Sequence, residues 1–126
     1  MDAAKDENMP SGYRVYINGG RVATELDALA WAKKAVSLGA GEIVLNSIDA
    51  DGTKEGYELN LTKMIADNVS VPVIASGGGG TVEHIADVVT KANADAALIA
   101  TMVHSGKYTV GGIKNDLNKM GVPVRM

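Results

Sequence analysis

Apolar residues along this chain fall into short unbroken runs separated by stripes at helical spacing, and that alternation sets the fold class. Ile43 to Ile48, Val71 to Ala75 and Ala96 to Ala100 have the length and character of strands buried in a parallel sheet. Between the first two, Leu61, Met64 and Ile65 mark a helix ending near Asn68; between the second and third, Ile85, Val88, Val89 and Ala92 give another helix one apolar stripe. A last helix carries Val110, Ile113, Leu117 and Met120, stops at Gly121 and leaves an extended tail from Val122 to Met126. Upstream, a helix is predicted to open at Thr24, with Glu25 and Asp27 in its first turn, and to stop at Gly39. Residues 1–12 are polar with a turn from Asn8 to Gly12, and Tyr13 to Ile17 alternates as a half-exposed strand before Asn18-Gly19-Gly20 breaks it, which reads as a hairpin or ordered flap. The expected organisation is α/β in one domain, residues 1–126, with a strand remnant and flap over 1–22 and a helix followed by three βα units over 23–126.

The central apolar run leads directly into chemistry. Val71-Pro72-Val73-Ile74-Ala75-Ser76 passes into four glycines, Gly77 to Gly80, and then into Thr81-Val82-Glu83, a strand, tight loop and helix start. Glycines let backbone N–H groups approach an oxyanion closely, and the N-terminal end of the following helix adds its positive dipole. Phosphate suits this geometry. The spacing is that of neither a dinucleotide fingerprint nor a Walker loop, since no Gly-Lys-Ser/Thr follows. In α/β folds of this kind ligands gather at the C-terminal strand ends, where Asn46, Asp51, Ser76, Gly77, Gly78 and Thr101 would lie together, the Ser76 and Thr101 hydroxyls serving as supplementary donors. Asp49 and Asp51 are candidates for general acid/base chemistry, Asp51 the stronger of the two, though acidic residues beside glycine also fit turn formers that bond their own backbone. His84 and His104 read as surface or capping residues.

Charge and composition narrow the partners. The net charge of −3 is dispersed, so there is no electrostatic footprint for nucleic acid or an anionic membrane. Cysteine is absent and only two histidines are present, which argues against a metal site, and no cofactor is implied. No apolar run approaches a membrane span and the first residues lack the regions of a signal peptide, so a cytoplasmic protein is expected.

Several segments together resemble one family, the cyclase subunit of imidazole glycerol phosphate synthase in histidine biosynthesis. They are Gly19-Gly20-Arg21, Trp31-Ala32-Lys33, Leu38 to Ile43, Asp51-Gly52-Thr53 with Gly56-Tyr57, Ile74 to Gly78, Glu83-His84, Asp95 to Leu98 and Gly121 to Arg125. The resemblance runs nearly end to end but covers only the second half of the family's (βα)8 barrel, a fold that typically takes roughly 250 residues. It implies half of a TIM-type barrel, (βα)4-like, with its first strand truncated to the residues around Met1-Asp2-Ala3.

Residue by residue, the resemblance implies that Asp2 stands where the family keeps one of its two catalytic aspartates, the other having no counterpart here. It implies phosphate binding at Asn46, Ser76, Gly77, Gly78, Ala100 and Thr101, a substrate-facing role for Asp51, and for Glu42 a place in the charged ring that gates ammonia entry. Ala50, Glu58 and Glu25 depart from the family's usual basic residue, Asp and Gly. As a chain-terminal carboxylate, Asp2 is expected to fray.

Two functions follow from this reading. One is a half of the cyclase that binds a phosphorylated ribose-type ligand, is inactive alone, and needs a complementary N-terminal half-barrel; a glutaminase subunit would join only a complete barrel. The other is a stand-alone, self-associating phosphate-binding or structural module without turnover. A homo-oligomer is expected in either case, because strands apolar on both faces, covered by helices on one side only, leave an apolar face and two open sheet edges.

Overall fold

The computed structural model describes residues 1–126. Its frame is a six-stranded sheet built from β1 (Asp2–Lys5), β2 (Tyr13–Ile17), β3 (Val22–Asp27), β4 (Ile43–Ser47), β5 (Val73–Ser76) and β6 (Ala96–Ala97), in the order β3-β2-β1-β4-β5-β6. β1, β4, β5 and β6 run parallel, while β2 and β3 form an antiparallel hairpin laid against β1. The helices are α1 (Ala28–Ser37), α2 (Leu59–Asn68), α3 (Val82–Thr90), the short α4 (Thr101–His104) and α5 (Val110–Lys119).

Side-chain period decides which face the helices cover. In β4 and β5, Ile43, Leu45, Val73 and Ala75 are buried on the helix-covered face, the first three clustering with Leu61 and Ile65 of α2 and Ala75 with Val82, Ile85 and Val88 of α3. The alternate residues face away from the helices. Val44 remains 43% exposed and Leu98, just past β6, 45%. The bare face expected from the sequence is therefore present.

Three expectations need correction, and the two expected open edges can be located. β1 is not a frayed remnant: Asn46 N–H donates to Met1 O at 2.9 Å and Ile48 N–H to Ala3 O at 2.9 Å, and Ala3 is fully buried. The hairpin pairs with the far side of β1, so the open edges belong to β3 and β6. β6 stops at Ala97, with Leu98 N–H donating once more to Ala75 O at 2.8 Å, because β5 turns away after Ser76 and leaves Ile99 and Ala100 without a strand to pair with.

The third correction concerns α1, which opens at Ala28 with Asp27 as its cap. Residues 22–27 are recruited instead into β3, where Arg14 pairs with Asp27 and the Thr24 hydroxyl donates to Val15 O at 2.7 Å. The Asp27 carboxylate accepts from Ala30 N–H at 3.0 Å and from Ser11 N–H at 2.8 Å, joining the hairpin to the helix. Burial pushes the Asp27 carboxyl up, but the hydrogen bonds from Ser11 and Ala30 outweigh it and hold it below its ordinary value. A depressed folded-state pKa contributes stability that is complete above the unfolded value, near 3.9, and is lost as pH falls through the folded one. Asp27→Ala is expected to cost about 1–2 kcal/mol at neutral pH and to flatten the acid limb of the stability curve, as urea titrations at several pH values would record.

Candidate functional site

The register of the parallel strands assembles the site. Asp2 pairs with Asn46 and Asn46 with Ser76, so the three stand side by side in one row on the face away from the helices. Asn46 Nδ2 donates to Asp2 Oδ1 at 3.0 Å, which fixes the carboxylate despite its place near the chain start. The Ser76 hydroxyl makes no hydrogen bond within the chain and is free to serve a ligand.

Beyond Ser76 the chain turns through Gly77 and Gly78, with φ of 93° and 104°. Both residues are buried, yet their N–H groups find no acceptor in the chain, and neither does that of Gly79. Buried backbone donors are almost always paired, so unpartnered N–H groups in one loop are an unusual feature that an anion would satisfy. Gly80 is different: its N–H donates to His84 Nδ1 at 3.1 Å. Thr81 caps α3 through its side chain, as the sequence predicts.

Close packing explains the run of glycines. A Cβ on Gly77 would lie 2.8 Å from Ser47 O and 2.9 Å from Asn46 Oδ1, one on Gly79 would lie 2.5 Å from the Tyr57 hydroxyl, and one on Gly78 would overlap the carbonyl of Gly56. The loop after β4, residues 49–57, thus presses directly on the loop after β5, with Gly56 N–H donating to Gly78 O at 2.8 Å. Tyr57 buttresses both and donates to Leu98 O at 2.9 Å; burial pushes its hydroxyl up to about 12, so it stays protonated.

A shallow cleft of about 60 Å³ opens where these loops meet, lined by Asp51, Lys54, Ser76, Gly77, Gly78, Gly79 and residues 98–101. Ser76, Gly77, Gly78, Ala100, Thr101 and Asp51 thus line one cleft. Thr101 contributes from the first residue of α4 rather than from a strand end. Asn46 and Asp2 lie in the adjoining row through Ser76. Glu42 is exposed two residues before Val44, at the opposite end of β4.

Asp49 has a structural task, accepting from Lys5 N–H at 2.8 Å. Glu58 caps α2 by accepting from Leu61 N–H, and its other oxygen accepts from the Tyr13 hydroxyl at 2.8 Å, tying the flap to α2. Three features lie beyond what residue spacing predicts: Lys54 in the cleft wall, His84 as the acceptor for Gly80, and the Tyr13 to Glu58 link across 45 residues. The cation of the Asp51-Gly52-Thr53-Lys54 turn was the one available signal. No group of three or more His, Asp or Glu side chains is disposed to hold a metal, and no helix is long and apolar enough to cross a membrane.

Comparison with known proteins identifies relatives of the chain. Residues 1–109 match the family model described as histidine biosynthesis protein. The chain is 60% identical over 121 residues to the imidazole glycerol phosphate synthase subunit HisF of Desulfatibacillum aliphaticivorans, covering 96% of this chain and 46% of that one. It is 64% identical over 115 residues to the HisF subunit of Desulforapulum autotrophicum, covering 91% and 44%, and 57% identical over 122 residues to that of Desulfosudis oleivorans, covering 97% and 47%. The chain thus spans about half the length of the curated relatives it matches, in keeping with four parallel strands in an open sheet that is half of a TIM-type barrel. It belongs to the histidine biosynthesis protein family.

Proposed function

We propose that the chain binds the phosphate of a phosphorylated ribose-type ligand at the C-terminal ends of β4, β5 and β6, and that it supplies one half of a cyclase-lyase site. The observation that carries this reading is the set of unpartnered N–H groups at Gly77, Gly78 and Gly79 beside the free hydroxyls of Ser76 and Thr101. Asp2, held by Asn46 on the same face, is positioned to act as the acid or base of that half. The reaction needs a second acid–base group across the substrate, which a complementary N-terminal half-barrel would bring. Asp51 faces the ligand from the loop after β4, and Glu42 would join an ammonia gate shared with a glutaminase subunit once the barrel is complete.

A second reading, a self-associating phosphate-binding module without turnover, draws on the exposed face carrying Val44 and Leu98. Both readings share the phosphate site. Titration with inorganic phosphate, followed by amide shifts, is expected to move Gly77, Gly78, Gly79 and Thr101 and to saturate. Saturating phosphate that leaves these amides unmoved would remove the basis of both.

A further inference from the structure

Lys54 in the cleft wall combines a left-handed backbone with a charge that has no partner in the chain. Its φ of 57° lies in the left-handed region, unfavourable for a residue with a Cβ, and such strain gathers at functional sites. The strain is locked in by contact: a Cβ on Gly80 would lie 2.6 Å from Lys54 O, so the turn and the glycine loop are moulded on each other. Its ammonium takes part in none of the chain's ion pairs.

A second cleft, of about 80 Å³, adjoins the first across Gly79 and shares Lys54 and Thr101 in its wall. Lys107 lines its far side, also without an ion-pair partner, with its Nζ 5.4 Å from the centre of the Tyr108 ring. Two unpaired cations from loops distant in sequence therefore flank one glycine loop. The same loop has Asp51 beside it, and a carboxylate there repels a dianion in a protein whose net charge is already −3. Backbone donors alone would leave that repulsion unanswered.

We propose that Lys54 and Lys107 form a cationic clamp over the glycine loop that neutralises a phosphomonoester dianion and makes the site prefer it to a monoanionic phosphodiester. This rests on the phosphate site proposed above and adds the residues that set its charge selectivity. Lys54 is the principal member, since it lines both clefts; Lys107 closes the outer one.

The left-handed backbone at Lys54 offers a clean test. Lys54→Gly removes the charge and relieves the strain together, so it should keep or raise the melting temperature while weakening inorganic phosphate binding roughly tenfold or more at constant ionic strength. Lys107→Ala should weaken it less, by roughly threefold, since Lys107 lines only one of the two clefts. In both variants the preference for methyl phosphate over dimethyl phosphate at pH 8 should shrink. If the unaltered chain binds no phosphate, the phosphate site itself is wrong. If it binds phosphate and Lys54→Gly binds it equally well, or keeps the full monoester preference, the clamp is wrong and the site stands.

Discussion

Gly78→Ala is expected to destabilise the chain by about 2–5 kcal/mol, among the largest effects available to a single methyl group here. Two costs combine. A φ of 104° is unfavourable for any residue with a Cβ, and the added methyl would overlap the Gly56 carbonyl, which is backbone and has no rotamer to escape into. Relief requires breaking the hydrogen bond from Gly56 N–H to Gly78 O, which binds the loop after β4 to the loop after β5. Gly106 is the control, because it shares a positive φ of 78° but has open space where its Cβ would fall. Gly106→Ala should cost only about 1 kcal/mol, the conformational part alone. Urea unfolding of both variants measures the difference; equal losses would mean that the two loops do not press together as described.

The second large effect is expected in association. Val44, 43% exposed, and Leu98, 45% exposed, share the uncovered face with Ile74 and Ala96, in rows set by the pairing of Val44 with Ile74 and Ile74 with Ala96. In a complete barrel that face would be filled by side chains from the other strands. Burial returns about 25 cal/mol per Å² of apolar surface before entropy costs, so two copies facing one another, or this chain and a matching half, gain a substantial driving force. The β6 edge adds unpaired backbone groups to the same surface. Sedimentation equilibrium is expected to show reversible self-association. Val44→Lys, which would bury an unpaired charge at the contact, should weaken it on the order of a hundredfold without loss of secondary structure. A folded monomer at every concentration, with no apolar surface detectable by dye, would contradict this.

The sequence disclosed the parts of the molecule that are local. The run Val73 to Ser76, the glycines after it and the Thr81 cap are consecutive, so strand, loop and helix could be read in one pass, and the strand register then delivered Ser76 beside Asn46 and Asp2. The start of α1 differs from the sequence expectation because Thr24 and Asp27 are both good caps, and the choice between them is made by pairing with β2, which the helical pattern does not encode. β6 was read too long because its apolar run continues after its only partner strand has ended. Lys54, His84 and the bond from Tyr13 to Glu58 depend on where loops cross in space, which residue spacing does not encode.

The most direct measurement of the central claim is complementation. The 126-residue chain is mixed with a purified N-terminal half of a HisF relative, and ammonia-dependent cyclase turnover is followed. No turnover is expected from either half alone, turnover from the mixture, and its loss by at least about a hundredfold with Asp2→Asn, the range seen when a general acid or base is removed. Turnover by this chain alone, or by a mixture indifferent to Asp2→Asn, would contradict that claim.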